Sequence, residues 1–321
     1  MGQQCSAGTF QDSEPHSITV DSIKNLRIAP HVHLSQERCK LSESYEISDT
    51  VLGKGLGGEV VLVRGKGSDK SFAMKTVKKK QRGDVANKAS LTNEVEIFMA
   101  LDHPHIVQLH SIYETGSHLF LLMECCSGGE LYARLQQRGA FPDADAIEAT
   151  QQMLKAVSYL HGRRIVHRDL KLENFLYQSD EPTAHLKLID FGFAHVWDGV
   201  TLMKAPCGSL SYVSPDVLFG DGYTDKCDLW SLGVIVWMLL SGYPPFHGEE
   251  QVIMTKIKAG QPDWSHQKRW KPVTTEAIDF VRKLLVKEPK RRMDASAAAR
   301  HPWLAPGSPS RTFRRQCIAG G

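Results

Sequence analysis

His167-Arg168-Asp169-Leu170-Lys171-Leu172-Glu173-Asn174, followed by Ile189-Asp190-Phe191-Gly192, is the stretch on which the reading of this chain turns. Asp169 is a base that can take a proton from an incoming hydroxyl. Lys171 is a cation that can neutralise a phosphate in motion. Asn174 and Asp190 offer oxygen ligands of the kind hard divalent cations prefer. An isolated Asp-Phe-Gly arises easily by chance. An Asp-x-Lys-x-x-Asn run with Asp-Phe-Gly sixteen residues after its asparagine does not. Phosphoryl transfer asks a protein mostly for positioning and charge neutralisation, and these side chains supply both.

Upstream, Leu52-Gly53-Lys54-Gly55-Leu56-Gly57-Gly58-Glu59-Val60 contains G-x-G-x-x-G through Gly53, Gly55 and Gly58. Dinucleotide-binding folds carry the same glycines, but there they open a helix. Here they run into Val60-Val61-Leu62-Val63, a strand-forming run, so the glycines belong to a hairpin whose bare backbone can fold over phosphates. Phe72-Ala73-Met74-Lys75 reads as the next strand. Residues 84–101 read as a helix. Glu94 on it is the expected partner of Lys75, whereas Glu96, two positions on, points to another face, and Phe98 is expected to face the core behind the site. The cluster Lys78, Lys79, Lys80 and Arg82 reads as a solvated charge run. His118 to Cys126 reads as a strand entering a hinge, and Ser127-Gly128-Gly129-Glu130-Leu131 starts a helix.

These motifs, in this order, resemble the eukaryotic protein kinases. The resemblance spans residues 45–304. It implies an α+β, bilobal protein kinase fold: a small β-rich lobe with one main helix over 45–126 and a larger helical lobe over 127–304. It implies ATP as nucleotide and Mg2+ as cation, with Asp169 as the base and Lys171, Lys75 and Glu94 completing the catalytic set. Gly53, Gly55, Gly58, Val60 and Ala73 would line the nucleotide site with Lys75, Asn174 and Asp190. The Glu124 carbonyl and Cys126 amide would hold adenine, Met123 would guard the pocket behind it, and Glu130 would reach ribose or a substrate arginine. Asn174 and Asp190 would hold the metal. Gly57 departs from the pattern, since an aromatic residue is common at that loop tip, and a more mobile lid follows.

The same resemblance covers Cys207-Gly208-Ser209-Leu210-Ser211-Tyr212-Val213-Ser214-Pro215-Asp216, a substrate-docking loop in which Ser209 would bond Asp169 and Lys171. With Lys171, this favours a serine or threonine acceptor. Asp216 replaces the usual glutamate and would pair with Arg292 at closer range or through water. Arg168 in many relatives binds a phosphate on the activation segment. Ala205 occupies the place where that phosphate often sits, so no activation-segment phosphate is expected to be needed, with Thr201 as the fallback. Glu130 and Glu173 would flank the peptide groove and suit a guanidinium, giving a preference for R-x-x-S/T; Met238 replaces a further acid. Leu-Ser-Tyr-Val-Ser-Pro, Gly-Tyr-Pro-Pro-Phe and His-Pro-Trp-Leu resemble the calmodulin-dependent group, whereas the leader that begins Met1-Gly2-Gln3-Gln4-Cys5 resembles that of the calcium-dependent protein kinases. The competing expectation is a kinase fold that has become a catalytically inactive scaffold. Such a chain normally lacks one of Lys75, Asp169, Asn174 or Asp190, and all four are present.

The periodic helix over 144–162 stops at His161-Gly162. Leu229 to Leu240 is apolar nearly all round and too short to span a bilayer, so it reads as a buried helix; Asp228 near its start is expected to accept backbone amides from the catalytic loop. Across 321 residues the composition is ordinary for a globular protein, 41% hydrophobic and 23% charged, and a net charge of +3 gives no reason to expect nucleic acid. Seven scattered cysteines without a CxxC pair suit reduced thiols in a cytoplasmic setting. Residues 1–44 read as a flexible leader, with a short strand or helix near 17–28. Met1-Gly2-Gln3-Gln4-Cys5-Ser6 fits N-myristoylation at Gly2, with Cys5 placed for palmitoylation. One myristoyl chain binds membranes with only about 10⁴ M⁻¹, and two hold stably, so peripheral attachment to the inner leaflet is expected. No D-x-[DN]-x-[DN]-G run occurs, so calcium or calmodulin regulation is not encoded in this chain. Residues 305–321 read as a solvated tail.

Overall fold

Strand-forming runs separated by glycine-rich turns fold into one sheet because their backbone N–H and C=O groups pair edge to edge, which places alternate side chains on one shared face. A computed structural model describes residues 33–35, 38–55, 58–79, 94–181 and 183–306. Its first part holds β1 (His33–Ser35), α1 (Arg38–Ser44), β2 (Tyr45–Gly55), β3 (Gly58–Gly65), β4 (Ser71–Lys78), helix α2 (94–99), β5 (Leu109–Glu114) and β6 (His118–Glu124). The six strands lie in the order β1-β5-β6-β4-β3-β2. All pairs are antiparallel except β1 with β5. The register matters for the site. Gly55 faces Gly58 at the tip of the β2–β3 hairpin, Val60 faces Lys75, and Ala73 faces Met123. The glycine loop, the lysine and the hinge are thereby fixed on neighbouring strands.

The expectation of a flexible leader through residue 44 is corrected for its last part. β1 adds to the open edge of β5, giving partners to backbone groups that an edge strand leaves unpaired, with His33 opposite Ser111. Leu41 of α1 is 1% exposed and packs with Val63, Met74, Tyr113, Phe120 and Leu122. Gly2, Cys5, the segment 17–28, Gly57, Lys80, Arg82 and the tail beyond 306 lie outside the described residues. Lys79, expected to be solvated, instead forms a largely buried ion pair with Glu114.

The second part is mostly helical. It runs through α3 (Leu131–Arg138), α4 (Asp143–Gly162), β7 (Ile165–Val166), β8 (Phe175–Tyr177), β9 (Leu186–Leu188), β10 (His195–Val196), α5 (Pro215–Phe219), α6 (Lys226–Ser241), α7 (Glu250–Ala259), α8 (Gln267–Trp270), α9 (Thr275–Leu284) and α10 (Ala295–Ala299). β7 pairs with β10 and β8 with β9, both antiparallel. These short ribbons frame the catalytic loop between β7 and β8. α6 is the central element: only Lys226 and Met238 along it escape full burial, and it ends at Gly242 in the left-handed conformation, a C-cap that glycine adopts without strain. Among the described residues no helix is long and apolar enough to cross a membrane.

Two buried charges tie this part together. Asp228, 1% exposed, accepts the His167 and Arg168 amides, each at 2.9 Å, and His161 Nε2 at 2.9 Å. Burial alone would raise its carboxyl pKa, but the His161 hydrogen bond and charge and the loop amides outweigh this and hold it below the usual carboxylate range. Arg292 Nη2 donates to Asp216 Oδ1 at 2.7 Å, so the shortened acid is met directly. The second carboxylate oxygen, Asp216 Oδ2, is buried without a hydrogen-bond partner among the described residues.

Candidate active site

Lys75 enters the site from β4 because the strand alternation turns it toward α2. It is 6% exposed, and its Nζ donates to Glu94 Oε1 at 2.6 Å and Asp190 Oδ1 at 3.4 Å. Burial favours the neutral amine, yet the two carboxylates outweigh it and raise the lysine pKa above its ordinary value. Asp190 feels the complementary effect: burial works to raise it, while the Lys75 ammonium and the Gly192 amide hold it low. Both groups are therefore charged at neutral pH. Glu96 lies apart from this pair, and burial raises its carboxyl pKa. Asp190 has φ +60°, a left-handed conformation uncommon for a residue with a β-carbon. Its backbone is gripped on one side by the Ile189 amide bonded to Asn174 O, and on the other by Gly192 N donating to Asp190 Oδ1 at 3.3 Å.

The catalytic loop forms a second polar cluster. Lys171 Nζ donates to Asp169 Oδ2 at 2.6 Å and to Ser209 Oγ at 3.3 Å. Ser209 donates to Asp169 Oδ1 twice, from its amide at 2.9 Å and its hydroxyl at 3.0 Å. Asn174 Nδ2 donates to the Asp169 carbonyl at 2.8 Å. The activation segment is thus pinned to the loop at Ser209. Gly208 explains how it comes so close: φ is +97°, and a β-carbon there would stand 2.7 Å from Arg168 O.

A cleft of about 1120 Å³ lies between the sheet and the helical part. Gly53, Val60, Ala73 and Lys75 roof it. Met123, Glu124 and Cys126 form its back at the hinge. Glu130, Glu173, Asn174 and Asp190 form its floor. Lys171 also lines it and carries the contact out to Asp169 and Ser209. Gly55 and Gly58 sit at the hairpin tip, where a β-carbon on Gly58, φ +138°, would fall 2.2 Å from Thr76 O. Cys126 is a poor nucleophile, since burial pushes its thiol up to about 12. At the open end, Glu130 and Glu173 are neighbours; burial and then the Glu173 charge raise the Glu130 pKa.

Three features escape sequence reading. Phe98 does face the core behind the site, but the column it joins is long-range: Phe98 stacks on Phe191 at 5.5 Å, and Phe191 meets His167 edge-on at 5.4 Å. Glu124, expected to act through its carbonyl, also accepts Lys187 Nζ at 2.8 Å and the Gln108 amide at 2.7 Å through its side chain. Tyr223 bonds both Arg168 and the activation segment. None of these pairs has a local spacing that announces it.

Against known proteins, the profile of the family described as "Protein kinase domain" matches residues 46–304. The chain is 36% identical over 298 residues to calcium/calmodulin-dependent protein kinase type IV of Rattus norvegicus, covering 91% of this chain and 60% of that protein. It is 37% identical over 273 residues to the Homo sapiens protein of the same name, covering 83% and 55%. It is 36% identical over 275 residues to myosin light chain kinase A of Dictyostelium discoideum, covering 85% and 92%. The chain thus spans less than two thirds of the length of the type IV kinases it matches. With the whole of residues 46–304 matched, the chain belongs to the protein kinase domain family, in its calmodulin-dependent kinase group.

Proposed function

We propose that this chain is an active serine/threonine protein kinase that transfers the γ-phosphate of ATP to protein hydroxyls, with preference for R-x-x-S/T. The observation that carries the reading is the pairing of Lys75 with Glu94 at 2.6 Å beside Asp190, in the same cleft that Lys171 and Asn174 floor. Family membership implies ATP and a divalent cation, typically Mg2+. The residues fit that cation. Asn174 commits its amide nitrogen to Asp169, which leaves its carbonyl oxygen as a hard ligand, and Asp190 is held ionised. Bound there, the cation would neutralise phosphate charge. Lys75, charged and fixed by Glu94, binds the α and β phosphates. Ala73 and Val60 cover adenine, and the Glu124 carbonyl and Cys126 amide hold its edge. Asp169 orients the acceptor hydroxyl and takes its proton as the new O–P bond forms and the bond from the γ-phosphorus to the bridging oxygen breaks, with ADP as the leaving group. Lys171 offsets the charge on the transferred phosphoryl group.

Glu130 and Glu173 form the carboxylate pair that receives the substrate arginine. Attachment to membrane through acyl chains on Gly2 and Cys5 belongs to the same proposal, supported by the Met-Gly-x-x-x-Ser pattern and the adjacent thiol. Labelled myristate should enter the wild-type chain in cells and not Gly2→Ala; equal labelling overturns that part.

The decisive assay follows transfer from radiolabelled ATP to a peptide carrying arginine three residues before serine. Wild type is expected to label it and Asp190→Ala to lose at least about 10³-fold in kcat, the scale of one transition-state charge contact. Equal signals from the two proteins overturn the catalytic reading and leave the inactive scaffold.

A further inference from the structure

We propose that the Tyr223 hydroxyl does, without phosphorylation, the work of an activation-segment phosphate, tethering that segment to Arg168 of the catalytic loop. The inference rests on the kinase reading above and names the residue that makes a phosphate unnecessary.

Arg168 stands next to Asp169 with φ +68°, so its backbone is held in a conformation that surrounding contacts must enforce. Asp228 enforces it from below through the Arg168 amide at 2.9 Å. Among the described residues no carboxylate forms a salt bridge with the Arg168 guanidinium. Its contacts are neutral: Nε donates to Phe193 O at 2.6 Å, and Nη1 donates to the Tyr223 hydroxyl at 3.2 Å. That hydroxyl in turn donates to Ala205 O at 2.7 Å and touches Cys207 Sγ at 3.5 Å. Tyr223 also pairs by backbone with Met203 in both directions, at 3.0 and 2.9 Å.

The chemistry fits the place. A phosphate offers only acceptors and needs a residue that can be phosphorylated, whereas position 205 is alanine. A phenol has one donor and free lone pairs, so it can accept from the guanidinium and donate to the Ala205 carbonyl at once. Tyr223 is 2% exposed, and burial raises its pKa, which keeps the phenol neutral and its proton in place. The ring anchors the group in the core, and the oxygen reaches two activation-segment residues, Ala205 and Cys207, and the catalytic loop at Arg168. Two positions beyond Cys207, Ser209 bonds Asp169, so the segment that Tyr223 tethers is the one fastened to Asp169.

The test uses the full chain, treated with phosphatase and shown by mass spectrometry to carry no phosphate between residues 193 and 217. Wild type should keep its activity. Tyr223→Phe, which removes one oxygen and keeps the ring, should lower kcat about tenfold with a smaller change in KM for peptide, the loss expected for two buried hydrogen bonds. Ala205→Glu added to Tyr223→Phe should restore most of that loss, because a carboxylate at 205 gives Arg168 an anionic partner on the same segment. A merely structural tyrosine would not be rescued in this way. If Tyr223→Phe does not fold, Arg168→Gln alone should show the same loss, with Ala205→Glu unable to rescue it. Full activity of Tyr223→Phe or Arg168→Gln, no rescue of Tyr223→Phe by Ala205→Glu, or rescue of Arg168→Gln by it overturns the proposal. So does loss of wild-type activity on phosphatase treatment. Wild-type activity no higher than that of Asp190→Ala instead sinks the kinase reading on which it stands.

Discussion

At the scale of single residues, the electrostatics of the peptide groove give the most direct prediction. Burial and then the Glu173 charge raise the Glu130 carboxyl pKa above its ordinary value. A raised carboxyl pKa means that the negative charge, and with it the attraction proposed for a substrate arginine, is lost at a higher pH than usual. KM for an R-x-x-S peptide should therefore climb as pH falls, with the climb beginning at a higher pH than an ordinary glutamate near about 4.3 would give. A peptide with alanine in place of that arginine should show no matching climb. Glu130→Gln should flatten the difference between the two peptides, and unchanged discrimination would remove Glu130 from the groove. The Asp216–Arg292 pair gives a second residue-scale prediction. Arg292 is 2% exposed, and besides Asp216 it donates to the Val286, Lys226 and Lys287 carbonyls. Removing the acid leaves a buried cation with only carbonyl partners. Asp216→Ala should cost about 3–5 kcal/mol in urea unfolding, while Asp216→Glu, which can reach Arg292 with both oxygens, should raise the midpoint.

At the scale of elements, the strap formed by β1 and α1 shows where sequence reading stops. The strands that carry Lys75 and the hinge were legible, because alternation and β-branched runs are local signals. Of the helix expected over 84–101, residues 84–93 lie outside the described residues, and the described part, 94–99, was legible through Glu94 and Phe98; α6 was legible through an unbroken apolar run. Residues 33–44 carry no such period. Leu41 becomes core only because β5 offers an open edge and because Val63, Met74 and Phe120 converge beneath it. The same limit applies to the site. Asp169, Asn174 and Asp190 sit in motifs, whereas Tyr223 and Lys187 act across 55 and 63 residues of chain, a separation that leaves no pattern. Leu41→Ala tests the strap. Truncating a side chain buried this completely should cost about 2–3 kcal/mol, read as a lower unfolding midpoint with Tyr113 and Phe120 losing their cover. A cost below about 0.5 kcal/mol, the range of surface changes, would mean that the strap lies loosely on the sheet.

At the scale of the whole molecule, the two parts of the chain meet through charge as much as through packing. Lys75 belongs to the sheet and Asp190 to the helical part, and their 3.4 Å contact bridges the cleft. Beneath it, Phe98 from α2 stacks on Phe191, which follows Asp190 in sequence and rests on His167 of the catalytic loop. A nucleotide with its cation would add contacts to both sides at once, so binding should stabilise the assembly rather than one part. At about a hundredfold excess over Kd such a ligand contributes about 2.7 kcal/mol. ATP with magnesium should therefore raise the melting temperature of wild type by a few degrees more than ATP with a chelator. In Asp190→Ala the magnesium-dependent increment should vanish while the part due to ATP alone is kept, since Ala73, Val60 and the hinge are untouched. In Lys75→Met the pattern reverses. The ATP-alone increment should fall most, because the phosphates lose their fixed cation, and Glu94 and Asp190 are left facing one another without the charge that joins them. Identical increments in wild type and Asp190→Ala would show that the carboxylate at 190 holds no cation, and the division of labour between the two sides of the cleft would have to be redrawn.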